Sequence, residues 1–284
     1  MTEKERLPKW MKMQLPKGET YSRVKNIVKD NKLHTICTSG NCPNIGECWN
    51  RGTATFMILG DICTRSCKFC AVTTGRPLPV DIGEPRRVSE SIKKMELKHC
   101  VITSVDRDDL PDFGAQAWTD VIGQIKSDNP RVKIEALIPD FQGDQTLIEK
   151  VVNSGADVVS HNMETVRSLT NNIRSVAKYD QSLRVIHTIA QNHVIAKSGL
   201  MLGLGEDIAE VQETLHDLRH SGCKVISIGQ YLAPSAKHYP VQEYIKPEVF
   251  EHLKEFALNL GFTFVESAPL VRSSYRAELH AEAK

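Results

Sequence analysis

The sequence contains no long apolar run, no low-complexity stretch and no internal repeat, and it carries little net charge. No run approaches the roughly 20 apolar residues of a membrane-spanning helix, and the polar, basic first residues differ from a secretory signal. The formal net charge of +1 over 284 residues gives no reason to expect a nucleic-acid-binding surface or an acidic tail. We therefore expect a soluble cytoplasmic protein with no nucleic-acid and no membrane partner.

Cysteine is unevenly distributed along the chain. Six of the eight cysteines fall between residues 37 and 70, which in an intracellular protein indicates metal or redox chemistry rather than disulfides. These six form two sets of three, whereas structural zinc usually takes four ligands. A set of three leaves one coordination position for something else. The remaining two, Cys100 and Cys223, are expected to be small buried hydrophobic residues.

Six short apolar runs alternate with amphipathic segments through the middle of the chain. The runs cover residues 55–60, 100–105, 132–139, 157–160, 195–204 and 225–232. The amphipathic segments predict helices over 88–97, 116–126, 145–154, 163–176 or longer, 208–220 and 247–260, with an earlier helix at about 21–31. Six successive βα units predict an α/β fold with a parallel sheet, either open or curled into an incomplete barrel. We therefore divide the chain into an N-terminal extension (1–53), a barrel domain (54–260) and a C-terminal extension (261–284).

Polar residues follow the predicted strands, at the edge where active sites of such folds lie. Cys63, Cys67 and Cys70 follow the first strand, and HNMET (161–165) follows the fourth. Asp106, Asp108 and Asp109 follow the second and are expected to organise a loop by hydrogen bonds. Because loops are generally polar, each loop alone is weak support for a site, and the cysteine loop is the specific signal. No histidine is assigned a catalytic role.

The spacing Cys63-x-x-x-Cys67-x-x-Cys70 is typical of a radical S-adenosylmethionine (SAM) site. Three thiolates can hold three irons of a [4Fe–4S] cluster, which leaves the fourth iron for SAM. One electron from the cluster then cleaves SAM to a 5′-deoxyadenosyl radical, which abstracts hydrogen from an unactivated C–H bond. Phe69 is expected to pack near the adenine. The alternative is a zinc knuckle that takes a fourth ligand from elsewhere.

The other set, Cys37-x-x-x-x-Cys42-x-x-x-x-x-Cys48, is less specific. Alone it is compatible with zinc or with no metal, but beside a radical SAM loop it suggests a second cluster. Two serines in the C-terminal extension, Ser273 and Ser274, are candidates for a fourth ligand. A serine oxygen is a harder and weaker partner for iron than a thiolate. Such a cluster would open readily at that iron, which suits a cluster meant to be taken apart.

Several segments together resemble lipoyl synthases along nearly the whole chain. They are CTSGNCPNIGECWNRGTATFMILGDICTRSCKFC (37–70), TSVDRDDLPDFG (103–114), SHNMET (160–165), KSGLMLGLGE (197–206), IGQYLAPS (228–235) and VESAPLVRSSYRAE (265–278). The resemblance implies a partial six-stranded TIM-type barrel, (β/α)6, with N- and C-terminal extensions. It also implies two [4Fe–4S] clusters and SAM as cofactors.

The resemblance assigns roles to both cysteine sets. Cys63, Cys67 and Cys70 would hold the SAM-cleaving cluster. The other three cysteines and Ser274, preferred over Ser273, would hold an auxiliary cluster that gives up its sulfur. The activity implied is that of a sulfurtransferase (EC 2.8.1.8) that inserts sulfur at carbons 6 and 8 of a protein-bound octanoyl chain, one SAM for each insertion, through an intermediate cross-linked to the auxiliary cluster.

The implied partners and SAM contacts follow from the same resemblance. The carrier would be an octanoylated lipoyl domain, from a 2-oxoacid dehydrogenase E2 subunit or the glycine cleavage H protein. An electron donor such as ferredoxin or flavodoxin and an iron–sulfur carrier for cluster repair are also expected. Asn162, Glu164, Ser104 and Lys197 are candidate SAM contacts. The alternatives are another radical SAM sulfur-inserting enzyme, such as biotin synthase or an RNA methylthiotransferase, and a zinc-stabilised binding module without catalysis.

Overall fold

The computed structural model describes residues 7–12, 18–51 and 53–280. The strands are β1 His34–Thr35, β2 Thr55–Ile58, β3 Ile62–Cys63, β4 Thr73–Thr74, β5 His99–Ser104, β6 Lys133–Leu137, β7 Val158–Ser160, β8 Ile195–Leu202, β9 Val225–Gln230 and β10 Phe264–Ser267. The helices are α1 Glu19–Asp30, α2 Ile36–Ser39, α3 Ile45–Asn50, α4 Glu84–Lys94, α5 Ala115–Asp128, α6 Gln145–Val152, α7 Arg167–Ile173, α8 Tyr179–Gln191, α9 Ile208–His220, α10 Pro247–Asn259 and α11 Ala277–His280, with a 3₁₀ turn at Phe141–Gly143. Within the described ranges, no helix combines the length and the apolar character needed to cross a bilayer.

The main sheet has the strand order β1-β2-β5-β6-β7-β8-β9-β10. All neighbouring strands pair in parallel except β1, which runs antiparallel to β2. The six predicted βα units are confirmed, and so is the parallel α/β sheet that forms an incomplete barrel. The C-terminal extension adds β10 as a further parallel strand that was not among the six predicted ones. Strands β1 and β10 are the two edges of this sheet, and no hydrogen-bonded pairing joins them among the described residues.

The positions of the strands and helices follow from the burial of apolar side chains that recur at strand or helix spacing. All six residues of β9 are buried, as expected for a strand covered on both faces. On α9, the buried residues Val211, Leu215 and Leu218 repeat every three or four positions. Burial of each such side chain stabilises the fold by about 1.5–3 kcal/mol. Helix α9 begins at Ile208, as predicted. Asp207 and Glu210 form a reciprocal capping box at this start.

The helix predicted over 163–176 is wrong in its bounds. The chain instead forms α7 and α8, and Arg174 between them is extended at φ −98° and ψ 127°. The Arg174 side chain is buried and donates to the Met163 carbonyl and to the Ser182 hydroxyl. Before α7, Glu164 forms a parallel bridge with Leu200 and so extends the pairing with β8 beyond the end of β7. Apolar periodicity does not reveal a break that lies at a buried, hydrogen-bonded arginine.

The two extensions contact each other through hydrogen bonds and an ion pair. Asn44 Nδ2 donates to the Leu270 carbonyl oxygen at 2.6 Å, and the Tyr275 hydroxyl donates to Glu47 Oε1 at 3.1 Å. Arg51 of the N-terminal extension forms an ion pair with Glu278 of the C-terminal one. These contacts join both ends of the chain next to the first cysteine set. Residues 1–6, 13–17, 52 and 281–284 of the predicted extensions lie outside the described residues.

Candidate active site

One cavity of about 620 Å³ opens at the carboxyl ends of the strands. Its lining includes thiols of both cysteine sets and both candidate serines: Cys37, Cys42, Cys63, Cys67, Cys70, Ser273 and Ser274. Cys48 is not part of the lining, but it lies close to Cys37 and Cys42, and burial together with these two neighbours raises its pKa to about 12. All eight cysteines are free thiols. The structure therefore brings together two sets that are separated in sequence.

The loop that carries the second cysteine set is held by hydrogen bonds from its backbone. The amide N–H groups of Arg65 and Asp106 donate to Cys63 Sγ, at 3.4 and 3.3 Å. The Lys68 N–H donates to the carbonyl oxygen of Ile173 at 2.9 Å, so the break after α7 supports the loop. Amide groups aimed at a cysteine sulfur are a known means of tuning cluster ligands. This loop fits the requirements of an iron–sulfur cluster.

Arg65 fixes the same loop through a buried charge network. Its guanidinium binds both carboxylate oxygens of Asp108 at 2.7 Å and one of Asp140 at 2.7 Å, and it lies 3.4 Å from Asp106. Burial alone would raise the pKa of Asp140, but the Arg65 guanidinium outweighs it and lowers that pKa to about 2. A bidentate, buried pair of this kind is strong and directional. Asp106 and Asp108 therefore organise the cysteine loop, where the sequence suggested only a loop lid, while Asp109 pairs with Arg107.

Four of the five predicted SAM contacts line the cavity: Phe69, Ser104, Asn162 and Glu164. Phe69 packs against the small apolar cluster of Ile173, Leu204 and Tyr231. Glu164 adopts φ +68°, and burial raises its pKa. A left-handed backbone conformation is uncommon for a residue other than glycine, and residues with this conformation concentrate at functional sites.

The structure corrects the expectation for Lys197. Its side chain is fully buried and is not part of the cavity lining. The ammonium donates to Glu135, to the Ser273 carbonyl and to His280 Nδ1. Since all three ammonium protons have an acceptor, Lys197 has no donor left for SAM.

The first cysteine set lies where the two extensions meet. Thr35 caps α2, which carries Cys37, and α3 carries Cys48. Burial raises the pKa of the Cys37 thiol to about 11, and the neighbouring Cys42 adds to this effect. Ionising such thiols needs a bound cation, so metal binding here would release protons. Across the described side chains, no group of three or more His, Cys, Asp or Glu is placed to hold a single metal ion, whereas a [4Fe–4S] cluster binds each thiolate to a separate iron.

The two candidate serines differ in their hydrogen bonds. The Ser273 hydroxyl donates to Asn162 Oδ1 at 3.1 Å. Because that hydroxyl is already engaged, Ser274 is favoured as the fourth ligand of a cluster. Arg272, directly before the two serines, lies near Cys42; burial lowers the pKa of Arg272, and Cys42 partly opposes this effect. A buried cation beside thiolates offsets the negative charge that a thiolate-bound cluster carries. The donor set thus fits an auxiliary cluster.

Sequence reasoning missed Arg65, Asp140 and Arg174. The sequence shows that Arg65 lies between two cysteines. It does not show the carboxylate partners of Arg65, because these come from different loops. Burial of a charged side chain leaves no periodic signal in a sequence. Only the assembled fold shows that these residues support the cysteine loop.

The fold and the three-cysteine loop together define a radical SAM enzyme, and comparisons with known proteins agree. Residues 57–218 match the family model of the Radical SAM superfamily, and residues 1–42 match the N-terminal domain of lipoyl synthase of the Radical SAM family. Membership of the superfamily implies SAM and a [4Fe–4S] cluster. The chain is 55% identical over 280 residues to lipoyl synthase of Treponema denticola, covering 99% of this chain and 97% of that one. It is 57% identical over 275 residues to lipoyl synthase of Parabacteroides distasonis, covering 97% and 98%. This chain belongs to the lipoyl synthase family.

More distant solved structures share the fold. Streptococcus suis SuiB bound to S-adenosylmethionine superposes with a TM-score of 0.61 at 9% identity, covering 80% of this chain and 54% of that one. HydG, a maturase of the [FeFe]-hydrogenase, gives 0.58 at 14% identity, covering 81% and 62%. Methylornithine synthase gives 0.56 at 14% identity, covering 75% and 70%. At these identities the likeness concerns the fold alone.

Proposed function

We propose that this chain inserts two sulfur atoms, at carbons 6 and 8, into an octanoyl chain bound to a carrier protein, which gives the lipoyl cofactor. The observation that carries the proposal is the shared cavity: thiols of both cysteine sets and Ser274 line one space. A reaction that joins hydrogen abstraction to sulfur transfer requires both centres to reach one substrate.

Cys63, Cys67 and Cys70 are proposed to hold the cluster that binds SAM. When bound, the cluster and SAM supply a radical that removes hydrogen from an unactivated carbon. The chain's own residues would bind and orient: Phe69 beside the adenine, and Asn162, Glu164 and Ser104 by hydrogen bonds to the rest of SAM. The Arg65 network keeps the loop in one geometry while substrate enters.

Cys37, Cys42, Cys48 and Ser274 are proposed to hold an auxiliary [4Fe–4S] cluster whose sulfides are the donated sulfur. A serine oxygen is the weaker ligand and would let that corner open first. Arg272 beside Cys42 would offset the charge of the site while it is intact. On this account the auxiliary site is consumed in each reaction and needs repair.

The cavity wall supports an aliphatic substrate. Apolar side chains from the strand ends line it between the two cysteine sets, among them Met57, Val105, Leu137, Leu200 and Met201. A hydrocarbon chain gains about 0.8 kcal/mol for each methylene removed from water. The wall therefore suits an eight-carbon acyl chain lying between the two centres.

The carrier, the redox partner and the location complete the proposal. The octanoyl group would arrive on a lipoyl domain of a 2-oxoacid dehydrogenase E2 subunit or on the glycine cleavage H protein. Ferredoxin or flavodoxin would supply electrons, and an iron–sulfur carrier would rebuild the auxiliary site, all in the cytoplasm. Residues 1–53 and 261–284 would form the auxiliary site, and 54–260 the SAM-binding barrel.

The experiment is anaerobic turnover of the reconstituted chain with SAM, a reductant and an octanoylated lipoyl-domain peptide. After reoxidation of the product in air, we expect the peptide to have gained two sulfur atoms and lost two hydrogen atoms, as seen by mass spectrometry. An unchanged octanoyl peptide, with sulfur instead inserted into dethiobiotin or RNA, would support a different radical SAM sulfur-inserting enzyme. Stoichiometric zinc without sulfide in the purified chain would support a binding module.

A further inference from the structure

The buried group around Lys197 is not used by the chemistry above. The Lys197 ammonium donates at 2.5 Å to Glu135 Oε1, at 2.5 Å to the carbonyl oxygen of Ser273, and at 2.9 Å to His280 Nδ1. The side chains of Lys197, Glu135 and His280 have no solvent exposure. An ammonium has three donors, so each has one acceptor here. One of those acceptors is backbone of the C-terminal extension, next to the candidate serine ligand.

This group lies directly beneath the cavity. Side chains alternate along a strand, so Lys197 shares the inner face of β8 with Gly199 and Met201, which line the cavity. On β6, Glu135 shares a face with Leu137, which also lines it. Lys197 and Glu135 are thus one step closer to the amino ends of the strands than the lining residues, and they lie beneath the cavity without lining it.

Lys197 and Glu135 form a buried ion pair. Burial raises the pKa of a carboxyl group, but the Lys197 ammonium outweighs this effect and lowers the pKa of Glu135 to about 2, while burial lowers the pKa of Lys197. Removing one partner of such a pair leaves the other as an uncompensated buried charge. A buried ion pair adds little net stability, but it can specify one arrangement of the groups around it.

We propose that Lys197 is a positioning residue for Ser274, in that its ammonium holds the Ser273 carbonyl and thereby fixes the peptide that carries the auxiliary-site serine. The inference rests on the proposed auxiliary site. The peptide unit is planar, so the Ser273 carbonyl carbon and oxygen lie in one plane with the nitrogen and Cα of Ser274. A fixed position of the Ser273 carbonyl oxygen therefore restricts the position of the Ser274 Cα, from which the side chain extends.

Other contacts secure the same segment from both sides. The Ser273 hydroxyl donates to Asn162 Oδ1, and Tyr275 donates to Glu47. His280, further along the same segment, accepts a hydrogen bond from the Lys197 ammonium, which also donates to the Ser273 carbonyl oxygen. Lys197 is therefore the point at which strand β8, strand β6 and two positions of the C-terminal extension meet.

The test measures iron release from the auxiliary site alone. The full chain is reconstituted in a Cys63→Ala, Cys67→Ala, Cys70→Ala background, and loss of iron to a chelator is followed by absorbance. We expect Lys197→Met and Ser274→Ala each to accelerate release about tenfold or more, because a charge-assisted hydrogen bond or a ligand is lost. The double variant should be no faster than either single one, since both act at one iron.

Two controls separate positioning from general loosening of the fold. Lys133→Met removes an exposed lysine from the same sheet and should leave the release rate unchanged. In the complementary background, Cys37→Ala, Cys42→Ala, Cys48→Ala, Lys197→Met should not change release from the remaining cluster. Equal acceleration in both backgrounds would overturn the inference in favour of a structural role.

The outcomes also separate this inference from the proposed function. Release at the parent rate in Lys197→Met but faster in Ser274→Ala would overturn the positioning role and leave the ligand assignment standing. Release at the parent rate in Ser274→Ala would reject the ligand assignment, and the positioning role with it. If Lys197→Met does not fold, His280→Ala removes an acceptor near the end of the described chain and should accelerate release in the same direction; no acceleration there would overturn the inference.

Discussion

Asn44 and Leu270 are 226 positions apart in sequence, and the side-chain amide of the first donates to the carbonyl oxygen of the second at 2.6 Å. Asn44 lies between Cys42 and Cys48, and Leu270 lies four residues before Ser274. The proposed ligands of the auxiliary site therefore come from opposite ends of the chain, and direct hydrogen bonds hold the two ends together.

The separate roles of the two cysteine sets predict different losses on mutation. Replacing Cys37, Cys42 and Cys48 with alanine should remove about four irons and abolish sulfur insertion, while 5′-deoxyadenosine still forms. Replacing Cys63, Cys67 and Cys70 should also remove about four irons but abolish 5′-deoxyadenosine formation. Iron analysis and chromatography of the SAM products check both outcomes. Equal loss of 5′-deoxyadenosine in the two variants would contradict the division of roles.

Ser274→Ala should impair lipoyl formation strongly, by about 100-fold or more, because the auxiliary site loses one ligand. Cleavage of SAM should persist. Ser273→Ala is the matched control: it removes a hydroxyl that donates to Asn162 and should reduce lipoyl formation less. Product formation is measured by mass spectrometry of the carrier peptide. The reverse order of the two effects would assign Ser273 as the ligand.

Gly229→Ala should displace the C-terminal extension. A Cβ at this position would lie 2.0 Å from the Val271 carbonyl oxygen, and backbone atoms cannot move aside cheaply. We expect a loss of stability of about 1–3 kcal/mol and faster proteolysis after residue 268. Gly123→Ala on α5 is the control, since a Cβ there meets nothing within 4 Å. That change should be neutral or stabilising by about 0.4–1 kcal/mol. Equal stability of the two variants would refute the close approach.

Asp140→Asn should destabilise the fold by about 1–3 kcal/mol near neutral pH, because the buried Arg65 loses one charge partner while it keeps Asp108 and Asp106. The folded-state pKa of Asp140 is lowered to about 2, so its contribution is fully present above its ordinary value near 3.8 and is lost as pH falls towards 2. The stability difference between parent and variant should stay constant from about pH 7 to 5 and shrink below about pH 4. Urea unfolding of the metal-free chain measures it. A difference that persists unchanged at about pH 3 would contradict the lowered pKa.

The sequence predicted the local chemistry better than the long-range contacts. The six strands were found because each is a short apolar run, and α9 was found because its apolar residues repeat with helical spacing. The break at Arg174 and the ammonium of Lys197 were misjudged, since both depend on partners brought close by folding. The candidate serine was found from a motif, but the contacts that place it, from Asn44 and Lys197, have no local signal.

The most direct test of the account uses a chain whose clusters have been rebuilt with heavy-isotope sulfide. After turnover without cluster repair, the lipoyl peptide should carry two heavy sulfur atoms, and the yield should stop at about one lipoyl group per chain because each auxiliary cluster is used once. Light sulfur in the product, or many turnovers without repair, would contradict the claim that the site of Cys37, Cys42, Cys48 and Ser274 is the sulfur donor.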